Sequence, residues 1–186
     1  MKMELLKNTS EDKFLLVLLS EKQYEKKLDE LVRSVGENHS KICYVCLSKP
    51  VEDVAGTLKR LGVGIEKFFF IDILSSHYKS PLPLENCIFI KEGGNKLDLI
   101  KSAISKTIAE KKCSIVIFDT ISSLLVYEQT HDILRFTHEL TTEEKQQNIN
   151  KVFIILKENG GLQEYDESLV KDLKMFADES IDFVDD

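Results

Sequence analysis

The sequence has no tryptophan, only three prolines and eight glycines in 186 residues, and no glycine before residue 36. So little proline and glycine leaves little material for long disordered linkers. No apolar run approaches the ~20 residues of a membrane-spanning helix. The longest, such as FLLVLL, are strand-sized, and no membrane insertion is expected. The opening residues, MKMELLKNTSEDK, are polar and lack the apolar stretch of a secretion signal. The expected location is the cytoplasm. Positive charge is in the minority, with 25 Lys and Arg against 32 Asp and Glu and a net charge of −7. That argues against a protein that coats nucleic acid by charge alone.

Four cysteines are present. Cys43 and Cys46 have the C-x2-C spacing of metal and redox sites. They fall in an apolar run that reads as a strand, where side chains three apart point to opposite faces. The pair therefore cannot share one ion, and all four thiols read as small buried residues in a reducing compartment.

What is present is an alternation. Apolar runs at 13–19, 42–47, 68–74, 114–119 and 152–156, with a short one at 87–90, read as strands buried on both faces. Between them lie helical stripes. Tyr24, Leu28, Leu31, Val32 and Val35 mark a helix over 21–35 that Gly36 can stop. Val51, Val54, Leu58 and Leu61 mark one ending at Gly62. Further helices are expected over 96–111, 128–146 and 167–177, before a closing apolar run, SIDFV. The segment 75–86 carries two of the three prolines and reads as a loop; with His77 and Tyr78 it is the expected contact surface. Strands alternating with amphipathic helices predict an α/β fold, three layers in αβα order around a mostly parallel sheet, with 1–186 as one domain.

Open parallel sheets bind ligands at the carboxyl ends of their strands. The residues just past the strands are Ser20, Glu21 and Lys22; Ser48 and Lys49; Asp119 and Thr120; and Lys157, Glu158 and Asn159. A phosphate-binding loop needs a glycine-rich turn whose backbone N–H groups face the phosphates. After the first strand the chain reads LLSEKQYEKKL, which cannot form one, and Glu21 would repel the anion. Gly93-Gly94 before a helix reads as an ordinary turn. His131 and His138 stand roughly 10 Å apart along one helix at the standard rise, too far to share a metal.

Four segments, in order, carry a family resemblance: KICYVCLSKPVEDVAGTLKRLG, FFFIDILS, SIVIFDTISSLLVYEQTHDILRFTHEL, and KVFIILKENG with the closing MFADESIDFV. Over about residues 13–184 the chain resembles the RecA-type ATPases, within them the archaeal KaiC-like and RadA-like branch. The resemblance implies a RecA-like core in which Asp119 matches the magnesium-coordinating Walker B acid. The Walker A loop is missing after the first strand. Where the family places its catalytic acid, after the second strand, this chain has Ser48 and Lys49, with Glu52 and Asp53 further on.

The expectation is therefore a pseudo-ATPase with no catalytic residue, no metal and no cofactor. Asp119 would serve as a turn- or cap-forming carboxylate bonded to the backbone of 120–123. The chain would act through a protein partner, a RecA/KaiC-family ATPase or a copy of itself, and not through nucleic acid. The alternative is an unconventional nucleotide site in which Asp119, Thr120, Ser48 and Lys49 converge, with Lys22 or Lys49 facing the phosphates and Asp119 meeting a nucleotide-bound magnesium.

Overall fold

The computed structural model describes residues 13–75, 86–91, 95–143, 148–157 and 167–183. Seven strands form one sheet: β1 (Phe14–Ser20), β2 (Ile42–Cys46), β3 (Phe68–Asp72), β4 (Cys87–Phe89), β5 (Ile115–Asp119), β6 (Asn150–Lys157) and β7 (Glu179–Asp182). Their order across the sheet is β4-β3-β2-β5-β6-β1-β7, and every pairing is parallel. Parallel neighbours require crossovers, which the helices supply. These are α1 (Glu21–Asn38), α2 (Val51–Leu61), α3 (Lys96–Lys111), α4 (Thr130–Glu143) and α5 (Glu167–Phe176).

The alternation of side chains along each strand divides the core into two layers. Leu15, Val17 and Leu19 of β1 join Ile42, Tyr44 and Cys46 of β2 beneath α1 and α2. Phe14, Leu16 and Leu18 join Cys43, Val116 and Phe118 beneath α3, α4 and α5. On that second face the Phe118 and Phe153 rings stack at 4.3 Å, and Phe14 meets Phe153 edge-on at 4.7 Å. Cys43 and Cys46 thus lie on opposite faces, and all four cysteines are free. The three-layer αβα architecture is as the sequence predicts. Both outermost strands are short, β4 with three residues and β7 with four, which limits the unpaired edge available to other chains.

Several boundaries differ from the sequence reading. Gly36 does not stop α1, which runs on to Asn38 and is closed by the His39 N–H bonding to the Val35 carbonyl. The glycine serves packing instead: a Cβ added there would come 2.5 Å from Cγ1 of Val63. Gly62 does end α2, at φ 69°, a conformation that favours glycine. β3 stops at Asp72 rather than at residue 74, because that carboxylate turns the chain with its own hydrogen bonds. A 3₁₀ turn, Ile121–Val126, occupies the space between β5 and α4. Residues 76–85, Gly93-Gly94, Glu158-Asn159 and Gly160-Gly161 lie outside the described residues.

Candidate functional site: the carboxyl edge of the sheet

β3, β2 and β5 are neighbours, and their last residues, Asp72, Cys46 and Asp119, lie in one register row. All three are buried and face α1 and α2. A parallel sheet brings its strand ends to one edge, so this row follows directly from the topology.

The two carboxylates have different surroundings. Asp72 is fully hydrogen-bonded. Its Oδ1 accepts the backbone N–H groups of Leu74 (2.7 Å) and Ser75 (2.9 Å). Its Oδ2 accepts the Val51 N–H (2.7 Å) and the Ser75 hydroxyl (2.6 Å). Pro50 offers α2 no side-chain cap, so Asp72 supplies the negative charge at that helix N-terminus. The site is closed by the chain itself.

Asp119 is only half satisfied. Its Oδ1 accepts the Ser48 hydroxyl at 2.9 Å and a very short bond from the Tyr24 hydroxyl. Its Oδ2 is buried and has no hydrogen-bond partner. Burial pushes the Asp119 carboxyl above its ordinary value; the Tyr24 and Ser48 hydrogen bonds, the Lys49 charge and the Tyr44 hydroxyl pull the other way without cancelling it. Burial, followed by the Asp119 charge, likewise holds the Tyr24 phenol well above its usual range. The Cys46 thiol, between the two acids, is raised by burial first and by Asp72 and Asp119 next. It is not a nucleophile.

The cap reading of Asp119 is corrected here. Thr120 follows it with φ 54° and ψ 93°, and the turn closes on itself. The Ser123 N–H bonds to the Thr120 carbonyl at 3.0 Å, and the two side-chain hydroxyls meet at 2.7 Å. The carboxylate instead reaches across to α1 and to the residue after β2.

Of the sequence candidates, Ser48 touches Asp119, and Lys49 lies close enough to act on it by charge. Lys49, however, pairs with Glu25 and sits 5.3 Å over the Tyr24 ring. Thr120 is buried in its own turn. Lys22 is exposed on α1, and Lys157 pairs with Asp182. Ser20 is the last residue of β1 and Glu21 the first of α1, so no residue lies between strand and helix. Sequence reasoning missed Tyr24, which reads as one more residue of an apolar stripe. Its hydroxyl was the available signal, since a buried tyrosine needs a polar partner. It also passed over Asp72, an acid inside an apolar run.

In comparison with solved structures, the chain superposes on a KaiC-like protein of the hyperthermophilic archaeon Pyrococcus horikoshii OT3. The TM-score is 0.61 at 13% identity, covering 92% of this chain and 72% of that one. It also superposes on the flagellar accessory protein FlaH of Methanocaldococcus jannaschii, with a TM-score of 0.57 at 14% identity, covering 94% and 73%. The chain has a KaiC-like fold. No protein-family model and no curated protein sequence matches it. The RecA-type core that the four sequence segments resemble is thus present as a fold. Within the KaiC-like sheet, Asp119 ends the strand lying beside β2, as the resemblance implies for a Walker B acid. No described helix is long and apolar enough to cross a membrane.

Proposed function

We propose that residues 1–186 form one KaiC-like domain that works in the cytoplasm through contact with another protein, without a nucleotide of its own. It acts as the regulator or partner of an active ATPase of the same fold, or of its own copies. The observation that carries this reading is the direct passage of β1 into α1. A phosphate cradle is a ring of backbone N–H groups in a turn between strand and helix, and there is no turn here to supply it. Asp119 supports the same reading. The oxygen that would face a metal-bound phosphate is held by two hydroxyls, one of them from the first turns of α1. The residues at this edge therefore do not fit a magnesium nucleotide held in the family's manner.

Thermal denaturation with and without millimolar ATP and magnesium tests the reading. A ligand at a hundredfold excess over its Kd adds about 2.7 kcal/mol of stability, a visible shift. The expected result is no shift. One specific observation favours the other reading, an unconventional weak nucleotide site: Ser48 and Lys49 do converge on Asp119. A magnesium-dependent shift that disappears in Asp119→Ala would establish that reading and overturn ours.

A further inference from the structure

Six large hydrophobic residues are exposed among the described residues, and five of them fall in two places. The first place is the carboxyl edge of the sheet, just past β5, where Val126 is 62% and Tyr127 51% exposed. Leu99, on the first turn of α3, is 39% exposed and lies one turn from Lys96, whose ammonium stands 4.2 Å over the Tyr127 ring. Asp98 and Glu128 flank this patch. The second place is the opposite, amino edge, at the end of α5. Met175 is 75% exposed, the highest of the six, and Phe176 is 42% exposed. Phe176 rests edge-on against the His138 ring of α4 at 5.5 Å. Lys171 and Lys174 are exposed beside it, while Asp178 is engaged by the Phe14 N–H.

The patches belong to the same helical layer, α3 to α5, but to its opposite ends. One is flanked by acids and the other by lysines. A single chain cannot bring the two edges of its own sheet together, whereas a second copy can. We propose that copies of this chain associate head to tail, with Val126 and Tyr127 of one seated against Met175 and Phe176 of the next. Asp98 and Glu128 then face Lys171 and Lys174. The contact joins two different surfaces, so each copy keeps one free patch and association continues with concentration. The patches are small, so each contact is weak and reversible. The proposal rests on the protein-contact reading above, yet the two fail separately. A thermal shift with ATP would sink that reading and leave this one standing.

Sedimentation velocity of the full chain over a rising concentration series tests it. Wild type is expected to grow in mean mass from the 21.3 kDa monomer. Val126→Lys places a cation opposite Lys171 and Lys174; Met175→Glu places an anion opposite Asp98 and Glu128. Each should remain monomeric alone, with an unchanged circular dichroism melt. Lys174→Glu, a milder surface change, should act in the same direction as Met175→Glu. Mixed in equal amounts, Val126→Lys and Met175→Glu retain one good patch each. The mixture should therefore stop at twice the monomer mass. Wild type that stays monomeric throughout overturns the proposal, as does a mixture of the two variants that fails to pair. Ile65→Lys, which alters the sixth exposed residue, should leave association unchanged; its loss there would also count against the two-patch assignment.

Discussion

Replacing Asp119 by asparagine should make this protein more stable, and the gain should grow with pH. The carboxylate is fully buried, its Oδ2 has no partner, and the nearest cation, Lys49, is paired with Glu25. An ion left in that state costs several kcal/mol. Asparagine keeps a carbonyl oxygen for the Tyr24 and Ser48 hydroxyls. Those bonds lose about 1 kcal/mol when their acceptor becomes neutral, and the new buried NH₂ costs about 1–3 kcal/mol. The net gain is about 1–2 kcal/mol above neutral pH, or about 3–6 °C in Tm for a chain of this size.

The sign of the pH effect follows from linkage. The folded carboxyl lies above the unfolded value, so the folded state holds its proton more tightly. The stability this gives wild type is fully present below the unfolded value of about 4 and is lost as pH rises through the folded one. Asp119→Asn has no such loss. Calorimetric melts of both proteins across that range should show curves that diverge upward. Equal separation at every pH, or a variant less stable than wild type in mild alkali, would refute the account of Asp119 as an uncompensated buried charge.

Tyr24→Phe removes one of the two donors to that carboxylate and should lower stability by about 1.5–3 kcal/mol in urea unfolding, with a smaller loss when Asp119 is already asparagine. Asp72→Ala strips the caps from Val51, Leu74 and Ser75 and should cost about 3–5 kcal/mol; chemical denaturation would read it, and a loss under ~1 kcal/mol would contradict the hydrogen bonds described. Gly36→Ala pushes a methyl group into Val63 and should cost about 1–3 kcal/mol, partly recovered in the double variant with Val63→Ala. Burial raises the half-buried Cys87 thiol to about 12, with Asp72 and Glu52 adding to it, and burial alone lifts Cys113 to about 11 against Lys41 and Lys111. Native protein should therefore resist alkylation in mild alkali and react at all four thiols once urea is added, as counted by mass spectrometry.

The fold was legible because it is written in periodicity. Residues 13–19 and 114–119 are continuous apolar runs, and a strand buried on both faces needs just that composition. Gly36 misled because a glycine near the end of a helix can cap it or admit a neighbour, and only Val63, brought up by α2, decides between them. The site was half legible. Asp119 and Ser48 follow from the rule that strand ends meet at one edge. Their binding to Tyr24 does not, because that contact spans 95 residues of chain and depends on how α1 sits on the sheet. Asp72 was hidden inside FFFIDIL, where an acid reads as a lapse in an apolar run until its four donors are known.

The strand order has a consequence for how the protein is made. β1 is the first strand to leave the ribosome, yet its two neighbours are β6 and β7, the last. Through most of synthesis FLLVLL therefore has no sheet to join. β2, β3 and β5 can pair with one another in the meantime, so a partial sheet forms whose open flank is the side of β5 that awaits β6. Closure then requires β1 and β6 to meet across nearly the whole chain, a slow step of high loop entropy. Until it happens, both β1 and the flank of β5 offer bare apolar strands to any other nascent chain nearby. Yield on expression should therefore depend on chaperone supply far more than the stability of the finished fold would suggest.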